Sequence, residues 1–326
     1  MRAAVGLLCW GSVLFSALLS SSSWAQVNFP TKPIRWISPF AAGGGADITS
    51  RVIAQKLSVA LGHQVVVDNR GGAGGNIGVE LGVKSPADGY TVVLGTIGPM
   101  GINVSLYRKL PFDPVKDLTP VTMAADALNA LVIHPSLPVK TVKQLVTLLK
   151  ARPDALSFGS SGPGATDHLA GELFKSMTQT KMVHIPYKGG APAMLDLMSG
   201  QVQLVFATMS TAVGSIRSQK IRALGMTGLQ RFALMPDLPT VAEAGVPGFE
   251  VRNWYAVYLP AGTPPKIITL LNAEIVKILA MKEVKDKLLD SGILASPSTP
   301  AELASYQLSE IKRWGEVVRD SGAKVD

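Results

Sequence analysis

Apolar positions along this chain switch repeatedly between the unbroken runs of buried strands and the three-to-four spacing of helices. Residues 34–39 form a short apolar run that predicts a strand. Over 46–61, Ile48, Val52, Ile53, Leu57, Ala60 and Leu61 recur at helical spacing, and Gly62 ends the run. Residues 64–69 (QVVVDN) predict a strand by their β-branched content. A helix over 75–84 and a strand over 91–95, after the Asp88-Gly89 turn, complete a strand–helix–strand–helix–strand series. That order belongs to a parallel sheet covered by helices.

Residues 97–119 carry Pro99, Pro111 and Pro114 and no strong period, and predict an irregular crossing. After an extended passage over 120–134 the alternation restarts. Helices are predicted over 142–151, 167–178, 191–199 and 212–219, and strands over 156–159, 182–185, 202–207 and 221–226. Thr141 and Gln144 make a capping-box pair for the first of these helices. Beyond a strand over 254–260 the pattern predicts helices only, over 265–280, 282–291 and 300–321. The last begins with Thr299, Pro300 and Glu302, three agreeing start signals.

Two α/β series joined by crossings near 120–134 and 221–228 predict two lobes, the first completed by the returning chain. The expected boundaries are 26–124 with 229–326 for the first lobe and 125–228 for the second. Ligands of open α/β sheets sit beyond the carboxyl ends of the strands, which here face the cleft between the lobes.

Composition changes this picture at the N-terminus. Mean hydropathy is +0.27, and one segment is apolar enough to ask about a membrane. Arg2 is followed by an apolar stretch to Leu19, then by Ser20–Ser23, Trp24 and Ala25. A spanning helix takes about 20 predominantly apolar residues, whereas this order of charge, apolar stretch and small residues is that of a secretory signal peptide. Residues 1–25 are therefore expected to be removed, and with them Cys9, the single cysteine. A mature chain without cysteine has neither disulfides nor thiolate chemistry and suits an oxidising compartment such as the bacterial periplasm. The net charge of +8 is dispersed, no basic run exceeding a pair such as Lys312-Arg313. A nucleic-acid partner would call for a clustered basic stripe, so none is expected.

Candidate chemistry lies in four glycine-rich turns from strand to helix. They span 39–47, with Phe40, Ala41, Gly44, Gly45 and Asp47; 70–78; 159–167, with Ser160, Ser161, Gly164 and Thr166; and 187–191, with Tyr187, Gly190 and Ala191. Each presents unpaired N–H groups and the positive end of a helix dipole, a ready site for an anion. Asp47 either accepts N–H bonds at its helix start or orients a ligand, and His168 either touches a ligand or faces solvent. Phe40 and Trp254 are candidate cleft walls, Trp254 fitting the core better. Nucleotide fingerprints fail: G-x-G-x-x-G begun at Gly43 or Gly72 meets Ile48 or Ile77. Hydrolase signatures fail as well, Pro163 standing where G-x-S-x-G needs its last glycine. The four histidines show no metal spacing, and no cofactor or metal is expected.

With these turns in place, the chain resembles the extracytoplasmic solute receptors of tripartite tricarboxylate transporters, the Bug or TctC-like family. The resemblance rests on PFAAGGGAD (39–47), NRGGAGGNIG (69–78), SPADGYTVVLGT (85–96), SLYRKLPFDPVKDLTPVT (105–122), HLAGELF (168–174), IPYKGGAPA (185–193) and PTVAEAGVPGFE (239–250). It implies a two-lobed α/β periplasmic binding protein fold of type II, Venus flytrap-like, with two crossing strands. The receptor would close on a small carboxylate as a monomer and pass it to membrane permease subunits. It implies that the 40–47 turn and Thr96 hold one carboxylate, and that the second-lobe turns, with His168, set selectivity. Many relatives carry V-D-L-M-F-D at 202–207; here Gln203 and Ala207 replace both acids. Ala207 would then border a more anionic or more apolar end of the ligand. Two other functions share this sequence: a ligand-sensing co-receptor for a membrane sensor, and a periplasmic hydrolase using Ser160 or Ser161 with His168, for which no third orienting group is evident.

Overall fold

The computed structural model describes residues 29–321, so the expected signal peptide lies outside the described residues. No helix among them is long and apolar enough to cross a membrane.

The first lobe opens with β1 (Ile34–Ser38), α1 (Gly45–Leu61), β2 (Val65–Asn69), α2 (Asn76–Val83) and β3 (Thr91–Thr96). β1 pairs in parallel with β2 and β3, as the alternating series requires. The chain then makes a wide turn over Gly98–Ile102, the short α3 (Asn103–Leu106) and β4 (Leu118–Ala127). After the second lobe it returns through β10 (Asn253–Pro260), α8 (Pro265–Ala280), α9 (Lys282–Asp290), β11 (Ile293–Ala295) and α10 (Pro300–Ser321). The first sheet has the order β11-β4-β10-β3-β1-β2. β10 is antiparallel to both neighbours, because it enters from the other lobe. All eight of its residues are buried, and a central strand covered on both faces reads as a continuous apolar run.

The second lobe contains β5 (Asn129–Ile133), α4 (Val142–Ala151), β6 (Ser157–Ser160), α5 (Thr166–Thr178) and β7 (Val183–Pro186). α6 (Gly190–Met198), β8 (Leu204–Thr208), α7 (Met209–Arg217) and β9 (Arg222–Met226) follow. Its sheet runs β7-β6-β8-β5-β9. β6 is parallel to β7 and β8, while the crossing strand β5 is antiparallel to β8 and β9.

Three details depart from the pattern. β11 pairs with β4 inside the run read as helices only; three residues between Gly292 and a proline-rich stretch are too short to show a period. The 97–119 passage holds the buried Gly98–Ile102 turn and α3. Its Gly and Pro hide it from pattern reading, and tertiary contacts hold it: Gln307 Nε2 of α10 donates to Met100 O at 3.1 Å and Pro114 O at 3.2 Å. Residues 229–250, expected to return to the first lobe, pack on the second. Phe249 lies against Phe174 and Phe206 with centroids 6.0 and 6.1 Å apart, and Thr240 bridges to Met226. The second crossing therefore falls at 251–253, where Val251 N–H donates to Thr227 O at 2.8 Å.

α10 closes the first lobe. Its N-terminus is a capping box: Glu302 N–H donates to Thr299 Oγ1 and Thr299 N–H to Glu302 Oε2. Its buried Glu310 accepts from the indoles of Trp254 at 3.3 Å and Trp314 at 3.4 Å. Trp254 is thus a core residue, fully buried. Trp314, 1% exposed, anchors the helix. Trp314→Ala is expected to cost about 3–5 kcal/mol, read as a lower denaturation midpoint in urea with an unchanged slope.

Candidate ligand-binding site

A cavity of about 40 Å³ lies between the lobes, walled by residues that include Phe40, Thr96, Ser161, Thr166, Asp167 and Tyr255. Four helices begin at this wall: α1 through Gly44, Gly45 and Ala46, α5 through Ala165, Thr166 and Asp167, α6 through Gly190, and α7 through Thr208. In none of the four does the cap residue's side chain accept from a first-turn N–H, although His168 N–H of α5 donates to Asp167 Oδ1 and Met209 N–H of α7 to Leu128 O. Each helix start carries about half a positive charge, so four positive dipole ends meet at the wall, with the Asp167 carboxyl beside them.

The sequences explain why caps are missing. Gly44 and Gly189 occupy two of the cap positions, and Ala165 a third; none has a side-chain acceptor. Gly45 also sets a steric limit. A Cβ there would lie 2.5 Å from the Tyr255 hydroxyl and 2.6 Å from Ser210 Oγ on the second lobe. At this point only glycine lets the lobes meet.

Of the residues expected from sequence, Phe40, Gly44, Gly45, Thr96, Ser161, Thr166 and Gly190 line the cavity. The others do different work. Asp47 is absent from the wall. Its carboxylate accepts from Gly43 N–H, Asn69 Nδ2 and Arg51 Nε, each at 3.0–3.1 Å. Burial alone would raise its pKa, but these bonds and the Arg51 charge hold it below the usual carboxylate value. It therefore braces the turn. Ala41 touches the second lobe, its N–H donating to Lys188 O at 3.2 Å. Ala191 packs opposite Gly43 of the first lobe. Tyr187 donates to Asp196 at 2.6 Å, which pins β7 to α6. Ala207 is buried in β8 opposite Ala130, and the next residue, Thr208, reaches the cavity instead.

His168 neither faces solvent nor lines the cavity. It is 7% exposed, accepts from Gly164 N–H at 3.1 Å and stacks on His184 with centroids 4.1 Å apart. Gly164 takes φ +80° and lies against Asn103 of the first lobe. Ser160 is fully buried and hydrogen-bonds His184 at 2.6 Å rather than His168. Ser161, the serine at the cavity, bonds Asp167 through N–H and Oγ at 2.7 and 2.6 Å. No serine–histidine pair thus faces the cavity.

The 70–78 turn is not in the wall either. It packs against the second lobe: a Cβ on Gly74 would lie 2.0 Å from Pro163 O. Gly71 and Gly74 serve lobe contact, while Gly75 and Gly78 pack within the first lobe against Phe40 and Pro39. Sequence reasoning missed the fourth helix start, that of α7, because Thr208-Met209 carries no glycine. It also missed Asn129, Asp167, Asn253 and Tyr255. The start of a strand after a lobe crossing was the one signal that pointed to the two asparagines.

Three ionisable groups flank the site, Asp167 and His168 buried and His184 half-buried. Burial raises Asp167 to about 6, despite the bonds from Ser161. Burial lowers His168 to about 4, helped by the Lys175 charge. Burial lowers His184 to about 3, with repulsion from His168 next and a partial offset from Glu172.

These features define a class of protein. The fold is that of the periplasmic solute-binding proteins: two α/β lobes, two crossings and an interlobe cavity. The structure of periplasmic binding protein BugD superposes with a TM-score of 0.88 at 31% identity, covering 91% of this chain and 99% of that one. The structure of Rpa4515 from R. palustris with adipate superposes with a TM-score of 0.89 at 38% identity, covering 91% and 100%. Protein BugT of Bordetella pertussis is 40% identical over 299 residues, 91% of this chain and 92% of BugT. A family profile described as "Tripartite tricarboxylate transporter family receptor" matches residues 49–323. The chain belongs to the tripartite tricarboxylate transporter receptor family, whose members are solute-binding receptors rather than enzymes.

The pKa shifts set the acid response. A histidine depressed in the folded state stabilises fully above its unfolded value of 6.5 and loses that contribution as pH falls toward its folded value. Asp167, raised in the folded state, acts oppositely: its contribution is present below 3.8 and is lost as pH rises through about 6. Two imidazoles oppose one carboxyl, so stability should fall between pH 6.5 and 4. Melting curves across that range should show His184→Gln flattening the decline and Asp167→Asn steepening it.

Proposed function

We propose that the protein binds a small carboxylate between its lobes in the periplasm and delivers it to the permease of a tripartite tricarboxylate-type transporter. The observation that carries this reading is the convergence on one interlobe cavity of four helix starts that their cap residues' side chains leave uncapped. Open N–H donors and aligned dipoles favour an anionic group with no need of a lysine or arginine. The kinship with a receptor solved with adipate supports a carboxylate as that anion. Phe40, Thr96, Ser161, Thr166 and Gly190 are the proposed contacts.

The lobe–lobe contacts support delivery by opening. Across the cleft run one backbone bond, Ala41 N–H to Lys188 O, one from Tyr107 to Pro163 O at 2.9 Å, and the ion pair of Arg313 with Glu250 at 3.2 Å. A ligand held between the lobes would add to these contacts. A thermal-shift screen over small carboxylates should find acids that raise the melting temperature, with about 2.7 kcal/mol gained at a hundredfold excess over Kd. Gly45→Leu, which wedges α1 away from Ser210, should abolish the shift while leaving the unliganded melting temperature within a few degrees. Silence across the screen, or an undiminished shift in Gly45→Leu, would count against the proposal.

A further inference from the structure

Two asparagines in the cavity wall have hydrogen-bonding capacity that the fold does not use. Asn129 opens β5, is 3% exposed, and neither its Nδ2 nor its Oδ1 has a partner. Asn253 opens β10 and is 7% exposed, and its Oδ1 has no partner. Its amide interacts with the Tyr255 hydroxyl, two residues along β10. Both line the cavity, and both stand where the chain passes from one lobe to the other.

A buried polar atom without a partner is costly and marks a place where a partner binds. The free capacity here is the two N–H donors of Asn129 Nδ2 and the lone pairs of the two Oδ1 atoms. Rotating the Asn129 amide exchanges its atoms but leaves the same inventory. Asp167 adds a further acceptor to the wall. A carboxylate brings acceptors only, so it can answer Asn129 Nδ2 and the helix N–H groups but neither Oδ1. A methylene answers nothing. The two Oδ1 atoms call for a group that donates.

Resting on the carboxylate reading above, we propose that Asn129 and Asn253 form a subsite for a hydrogen-bond-donating substituent, a hydroxyl or amino group, carried by the ligand. The preferred ligand is then a hydroxy- or amino-substituted carboxylate, not its unsubstituted parent. This replaces the expectation drawn from Ala207, which pointed to a more anionic or more apolar distal group. Ala207 is buried in the sheet, whereas the acceptors that face the cavity come from Asn129, Asn253 and Asp167. Discrimination follows from the penalty on the wrong ligand: the parent acid leaves two buried acceptors unpaired. The same asparagines border a hinge-side chamber of about 250 Å³ with Asp126, Glu250 and Arg252, which offers their amides an alternative outlet.

Isothermal titration of the full mature chain with matched acids tests this. The pairs are succinate against malate and aspartate, glutarate against 2-hydroxyglutarate and glutamate, and adipate against 2-aminoadipate. At the chain length that binds, a substituted acid should bind at least about tenfold tighter than its parent, roughly one good hydrogen bond. Asn129→Ala and Asn253→Ala should each shrink that ratio to about twofold or less. Equal or tighter binding of the parent overturns the subsite and leaves carboxylate binding standing. A ratio that survives in both variants overturns the assignment to these two residues and places their partners in the hinge-side chamber. If no acid of the panel binds, the carboxylate reading falls and the subsite with it. Should one variant fail to fold, the wild-type ratio and the other variant still decide.

Discussion

Helices that begin without a cap leave backbone donors in search of acceptors, and here four such beginnings meet at one cavity. Everything else in the architecture serves this meeting. The strands β1, β6, β7 and β8 aim their carboxyl ends at the cleft, so the helices that follow them start there. Glycine or alanine at three of the four cap positions withholds the side chain that would satisfy the donors internally. The absent side chain at Gly45 allows α1, Tyr255 and Ser210 to come together. A surface helix with these starts would lose little, because water would cap it. In a cavity between two lobes the same donors favour an anion that brings its own acceptors.

The glycine-rich turns divide between two tasks that composition cannot tell apart. Gly44, Gly45 and Gly190 stand at the cavity, whereas Gly71, Gly74, Gly162 and Gly189 lie at lobe contacts so tight that a Cβ would meet backbone atoms of the other lobe. Closure thus includes close backbone-to-backbone approach. Apolar side chains contribute as well, since one buried cluster contains Met100, Leu106 and Trp254 of the first lobe with Phe158, Leu169 and Phe174 of the second. The two crossings, at 127–129 and 251–253, connect lobes whose cores are separately paired sheets.

The alternation of strand and helix was readable because β-branched runs and helical periods follow one another cleanly, from Ile34 through Met226. The caps at Thr141 and Thr299 were readable for the same local reason. What was hidden depends on distant partners. The Gly98–Ile102 turn exists because α10 packs over it, and β11 because β4 offers an edge. Residues 229–250 join the second lobe through Phe249, whose ring partners are far away in sequence. At the site, glycine marked three of four helix starts, and the motif resemblance drew attention to Thr96. Asn129, Asn253 and Tyr255 stayed hidden because a strand residue's outlook onto a cleft is set by the sheet it joins. His168 looked chemical beside a glycine-rich turn, yet it is spent on stacking with His184 and accepting from Gly164.

The central claim concerns where the charge of the ligand goes. A crystal structure of the protein grown with a dicarboxylate that binds it tests that claim most directly. The account predicts carboxylate oxygens within hydrogen-bond reach of first-turn N–H groups of α1 and of at least one of α5, α6 and α7, with no lysine or arginine in contact. A carboxylate held by basic side chains, or seated outside the interlobe cavity, would contradict it.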